Sequence, residues 1–136
     1  MKQDTQHIVM IIDDNHLLRE IFSTSLEMDG HQVLQAGNGE EALTLLNSLK
    51  KTSYPDCIIL DLIMPTMDGN TFLKVMEEKS HEEFKKIPII ICSATGVYDK
   101  TPQIRDELTK PVDLVLLSQT VKKNLDRLLT SHEIIS

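Results

Sequence analysis

Two adjacent carboxylates, Asp13 and Asp14, end the apolar run "IVMII" at residues 8–12, and a third, Asp61, ends the run "CIIL" at 57–60. If both runs are strands of one sheet, the three acids meet at a single rim. Like charges brought within several ångströms of one another raise each other's pKa and oppose folding unless a cation sits among them. A hard, oxygen-seeking ion such as Mg2+ meets that need, because it binds through one or two carboxylates and keeps several waters. Two more groups fall at comparable positions: Ser93, a hydroxyl donor after "IPIIIC", and Lys110, a cation within "LTKPV". Each residue alone has a plainer use. An Asp at a strand end caps the next helix or points to water, Asp61 begins the tight loop "MPTMDG", Ser93 caps a turn, and a lone lysine is a surface group. The combination on several strand ends is more specific than any member of it.

Short apolar runs alternate with longer segments of helical period, the pattern of a parallel sheet with crossover helices. The third clear run is "IPIIIC" at 87–92, a weaker strand fits "HQVLQA" at 31–36, and a fifth lies within "RDELT", which is poor in apolar residues. Leu17, Leu18, Ile21, Phe22 and Leu26 recur at three- and four-residue steps and give a first helix one inward face. Asn38, with Glu41 three positions on, resembles a capping box for a second helix whose stripe is Ala42, Leu45, Leu46 and Leu49. Asp68 is placed to cap a third, with Phe72, Leu73, Val75 and Met76 inward and the polar stretch "EEKSHEEFKK" as solvated face and loop. The last helix should begin near Val112, carry Leu114, Leu117, Val121, Leu125 and Leu128, and fray near Ser131. Right-handed crossovers place helices on both faces of such a sheet, and ligands bind beyond the C-terminal strand ends. The fold class is therefore α/β, a doubly wound parallel sheet.

A chain of 136 residues with 40% hydrophobic content fits one domain with one core, expected over about 8–129, and no attached output domain is expected. No apolar run reaches the ~18 residues of a membrane span, and "MKQDTQHIVM" lacks a signal-peptide pattern, so a cytoplasmic protein is expected. A formal charge of -7 argues against nucleic acid and anionic membrane as partners. Cys57 and Cys92 sit in apolar runs and read as packed thiols, while His7, His16, His31, His81 and His132 are scattered and read as surface groups.

The pieces "IIDDN", "IILDLIMPTMDG", "IPIIICSA" and "TKPVD", in that order on the expected strand ends, make the chain resemble the receiver domain of two-component response regulators, from Ile8 to about Leu129. The resemblance implies a flavodoxin-like fold of five parallel strands in the order 2-1-3-4-5. It implies that Asp61 accepts a phosphoryl group from a phosphohistidine on a sensor histidine kinase or histidine phosphotransfer protein. Asp14 and Asp61 would hold Mg2+ directly, Asp13 through water, and the Ile63 backbone carbonyl would complete the protein ligands. Ser93 would bind a phosphoryl oxygen, Lys110 would pair with Asp61 or its phosphate, and the Lys110–Pro111 bond would be cis. The product is a phosphorylated signalling protein that binds an unidentified downstream protein differently, rather than an enzyme with a substrate of its own. These roles suit the chemistry: a carboxylate attacks an anionic phosphorus only when charge is screened, and charge developing on the equatorial oxygens needs cations and a donor.

The chain departs from that family in one region. Only 16 residues separate Ser93 from Lys110, about one helical turn fewer than is usual, so the fourth helix of the receiver pattern is expected to be shortened, displaced or absent. Glu107 stands three residues before the lysine, where receivers carry an aromatic switch, and a carboxylate does not suit that apolar slot. Tyr98 is the nearest aromatic and reads as a half-exposed loop residue. A competing reading is thus a pseudo-receiver that docks proteins without being phosphorylated. A flavin-binding protein is disfavoured because "DDNHLL" offers carboxylates where a phosphate cradle is required. A small-molecule phosphatase lacks a second positioned acid. Ile63 and Thr95, each two residues beyond a site residue, are the expected determinants of phosphoryl lifetime.

Overall fold

The computed structural model describes residues 6–64, 66–78 and 82–135, with side chains through 127. The expectations for Pro65, His81, His132 and the Leu128 side chain fall outside what is described. Five strands, β1 (Ile8–Ile12), β2 (Gln32–Ala36), β3 (Cys57–Leu60), β4 (Ile89–Ser93) and β5 (Ile104–Thr109), form one sheet. Every pairing is parallel and the order is β2-β1-β3-β4-β5. The helices are α1 (His16–Met28), α2 (Gly39–Ser48), α3 (Gly69–Glu78), α4 (Glu82–Lys85) and α5 (Leu114–Ile135), with a 3-10 turn at Lys51–Ser53.

The central strands are apolar throughout because helices cover both faces, and the two-residue period then divides each strand between two layers. Met10, Ile12, Ile58, Leu60, Ile89 and Ile91 pack with Ala42, Leu46, Phe72 and Met76 under α2 and α3. Val9, Ile11, Cys57, Ile59, Ile90 and Cys92 face the other way, against Phe22 and Leu26 of α1 and Leu117, Val121 and Leu125 of α5. Both cysteines are buried free thiols. Burial pushes the Cys92 thiol up to about 12 and raises Cys57 as well, which keeps both protonated and unreactive.

The helix starts follow local chemistry. Asn15, rather than either aspartate, caps α1, its side chain accepting from the Leu18 N–H at 3.0 Å. Asn38 caps α2 through the Glu41 N–H at 2.8 Å, but Glu41 reaches back to the N–H of Gly37 at 2.7 Å, one residue short of a strict capping box. Asp68 caps α3 through the Thr71 N–H at 2.9 Å, and these bonds hold its carboxyl below the usual range.

Three expectations are corrected. The polar stretch after α3 contains a short helix, α4, because Phe84 is buried beneath it and anchors one turn. The last helix starts at Leu114 and continues to Ile135 instead of fraying near Ser131. On α1, Leu17 is 69% and Ile21 43% exposed, so the buried face is narrower than the stripe of leucines and isoleucines suggests.

Between Ser93 and Ile104 there is no helix, in accord with the short spacing. The segment is tied down by single contacts. Gln103 donates from Nε2 to the carbonyls of Phe84 and Ile87 at 2.7 and 2.9 Å, and the Tyr98 hydroxyl donates to Glu107 Oε1 at 3.0 Å. The register of β5 shifts between Ile89 and Ile90, which leaves Arg105 as the extra residue of a bulge. Asp106 on β5 is anchored to α5 by Lys123 at 3.0 Å and Asn124 at 2.8 Å. This explains how a strand with Leu108 as its one buried apolar residue still joins the sheet.

Candidate functional site

The rim at the C-terminal strand ends is assembled by backbone pairing. Asp13 N–H donates to Ala36 O at 3.1 Å, Asp61 N–H to Ile12 O at 2.9 Å, and Lys110 N–H to Ser93 O at 3.0 Å, so the ladder carries on one residue past the strands. The five site residues foreseen from their types thereby converge. Asp13, Asp61 and Ser93 are buried and Asp14 is exposed. Carboxylate oxygens of Asp13, Asp14 and Asp61 lie within 4.8 Å of one another.

Lys110 closes the group. Its Nζ donates to Asp13 Oδ2 at 2.6 Å and to Asp61 Oδ2 at 3.2 Å. Burial opposes its charge, yet the hydrogen bonds and charges of Asp13 and Asp61 together outweigh that, and the ammonium titrates above an ordinary lysine. Asp13 is the nearer partner, whereas the receiver resemblance pointed to Asp61 or its phosphate. The Lys110–Pro111 peptide bond is cis.

The remaining polar groups are set by turns. Asp13 Oδ1 accepts from the Asn15 N–H at 2.9 Å, and Asp61 Oδ1 from the Ile63 N–H at 3.2 Å. Ile63 itself is 58% exposed. Among the described residues, the Ser93 hydroxyl is held by a long 3.5 Å contact from the Thr95 N–H. After β3 the chain turns back under Asp61: Gly69 N–H donates to Leu62 O at 2.9 Å, and a Cβ on Gly69 would stand 2.5 Å from Asp61 O. Only glycine fits there. Thr66 in the same loop has φ +67°, a left-handed conformation costly for a β-branched residue.

One residue that motif reading passed over also touches the rim. Arg19, on the first turns of α1, donates from Nη1 to the backbone carbonyl of Asp13 at 2.6 Å. Its Nε donates to Gln35 Oε1 on β2 at 3.1 Å, and its Nη2 meets His16 Nδ1 at 3.2 Å. The available signal was a lone arginine one and a half turns after the acids, too common on helices to single out.

Three carboxylates against one ammonium leave an excess of negative charge and an all-oxygen donor set, which suits a hard divalent cation better than a soft one. No helix among the described residues is long and apolar enough to cross a membrane.

The model of the response regulator receiver domain matches residues 9–122. The chain is 33% identical over 118 residues to protein PilH of Pseudomonas aeruginosa, covering 83% of this chain and 93% of PilH. It is 34% identical over 128 residues to the sensor histidine kinase CheAY of Helicobacter pylori, covering 89% of this chain and 15% of that protein's length. Among solved structures, the response regulator TrrA of Thermotoga maritima, in complex with Mg(2+)-BeF, superposes with a TM-score of 0.70 at 27% identity, covering 88% of this chain and 99% of TrrA.

Proposed function

Because the chain belongs to the response regulator receiver domain family, we propose that Asp61 accepts a phosphoryl group from a phosphohistidine on a partner kinase or phosphotransfer protein. Asp14 and Asp61 would hold Mg2+ directly, with Asp13 reaching it through water and the Ile63 carbonyl as the remaining protein ligand. The observation that carries the reading is the meeting of three carboxylates, with oxygens within 4.8 Å of one another, at the strand ends, with Lys110 hydrogen-bonded to the buried Asp61.

In the transfer, an Asp61 carboxylate oxygen forms the new bond to phosphorus as the bond from phosphorus to the donor imidazole nitrogen breaks, and the imidazole keeps that electron pair. When bound, Mg2+ supplies the positive charge that screens the carboxylate from the phosphoryl oxygens. Asp13 holds Lys110 Nζ by the shorter of its two bonds, so the ammonium can leave Asp61 Oδ2 for a phosphoryl oxygen without losing its anchor. Ser93 Oγ, loosely held by Thr95, is free to turn its proton toward another phosphoryl oxygen. Ile63 and Thr95 flank the approach of water and tune the slow return to free aspartate. Movement of Ser93 and Thr95 is passed to the helix-free segment 94–103 and alters binding of a downstream protein.

A second reading, docking without phosphorylation, draws on the missing helix and on the Tyr98–Glu107 bond in place of an aromatic switch. Labelling with acetyl phosphate separates the two. Mg2+-dependent incorporation into the wild type, lost in Asp61→Asn, supports phosphotransfer. A folded wild type left unlabelled at saturating Mg2+ supports the docking module.

A further inference from the structure

Asp14 is the least constrained member of the acidic group. Its side chain is exposed and, among the described residues, no hydrogen bond or ion pair holds it. Its direction is set by its backbone, and that in turn by the peptide unit joining Asp13 to Asp14. The oxygen of that unit is the carbonyl of Asp13, and the group gripping it is the Arg19 guanidinium at 2.6 Å.

We infer that Arg19 is the positioning residue for the divalent-cation site, acting on Asp14 through the carbonyl of Asp13. The inference rests on the functional reading above. Arg19 suits the role because its planar fork is fixed at three points: Asp13 O, Gln35 Oε1 and His16 Nδ1. Gln35 is itself held, donating from Nε2 to Glu20 Oε2 at 3.0 Å, so the grip on the loop is referred to β2 and to the body of α1. The guanidinium thus converts the β1–α1 turn from a hinge into a fixed mount for two adjacent carboxylates.

Position and charge make opposite demands here, which gives the inference a sign. A guanidinium close to a cation site repels the cation, so an Arg19 that acted only through its field would weaken Mg2+ binding, and its removal would tighten it. If the residue positions Asp14, removal weakens binding. Partners that orient metal ligands are worth about 10- to 100-fold in affinity, and a grip on a carbonyl one residue away belongs at the lower end, about tenfold.

The experiment measures Mg2+ affinity of the full chain by the rise of its unfolding temperature with Mg2+, and in parallel the Mg2+ dependence of acetyl-phosphate labelling. Arg19→Gln is expected to raise the Mg2+ half-saturation about tenfold in both, while the labelling rate at saturating Mg2+ and donor falls by no more than about twofold. Arg19→Lys, which keeps the charge and can reach one partner but not three, should fall between. Gln35→Leu leaves the charge in place and removes one anchor, and should weaken Mg2+ binding in the same direction; it also serves if Arg19→Gln does not fold. Unchanged or tighter Mg2+ binding in a folded Arg19→Gln, or in Gln35→Leu, overturns the inference. A wild type that neither labels nor is stabilised by Mg2+ overturns the functional reading instead.

Discussion

Replacing Lys110 with methionine keeps most of the side chain's length and removes the ammonium that faces Asp13 at 2.6 Å and Asp61 at 3.2 Å. The carboxylates left behind have side chains 4% and 7% exposed, so neither can recover full hydration. Removing one partner of a buried pair typically costs about 3–5 kcal/mol. Here the Lys110 side chain is 21% exposed, which places the expected loss lower, at about 2–3 kcal/mol. With an unfolding entropy of about 2.1 cal/mol/K per residue, that loss lowers the unfolding temperature by roughly 7–10 °C. A divalent cation at the rim replaces the missing charge. Without the ammonium competing at the rim, Lys110→Met should bind Mg2+ more tightly than the wild type, and a site about tenfold tighter narrows the difference by about 1.4 kcal/mol at saturating Mg2+, roughly half of the loss. Thermal unfolding with EDTA and with a Mg2+ series reads both quantities. A Lys110→Met protein as stable as wild type without metal, or equally destabilised at every Mg2+ concentration, would refute the electrostatic account of the rim.

Gly69→Ala sets a Cβ 2.5 Å from Asp61 O and 2.6 Å from Leu62 Cα, both backbone atoms that cannot rotate away. Stability should drop by about 1–3 kcal/mol by overpacking, and labelling of Asp61 should slow, since the turn that carries it must move; denaturant unfolding and acetyl-phosphate labelling test the two parts. Thr66→Gly relieves the left-handed strain at φ +67° and should stabilise the chain by about 0.5–1 kcal/mol after the entropy of the added glycine is counted, visible as a shift in denaturant midpoint. The pH dependence has a defined sign. The folded pKa of Lys110 lies above the ordinary 10.5, so its contribution is complete below that value and is lost as pH rises through the folded pKa. The stability gap between wild type and Lys110→Met, measured without metal, should be constant near neutrality and close at higher pH.

The strands and their order of appearance were legible because β1, β3 and β4 are buried on both faces, which writes them as uninterrupted apolar runs. The edge strand β5 was harder to see, since its hold on the molecule comes from Asp106 bonding to α5 and not from an apolar pattern. Helix α4 was hidden for a related reason: one buried phenylalanine in a charged stretch says little until the pocket that receives Phe84 exists. The acids at the rim could be named in advance because each follows an apolar run directly, so the strand that buries the run also delivers the acid.

What the chain alone determined is thus the set of groups that end up at the strand termini, because period and burial tie each to a local signal within a few residues. What the tertiary structure decided is how they share charge. Lys110 chooses Asp13 as its nearer partner across 97 positions of sequence, and Arg19 reaches back to a carbonyl and across to β2, because these contacts depend on through-space distances that no local pattern encodes.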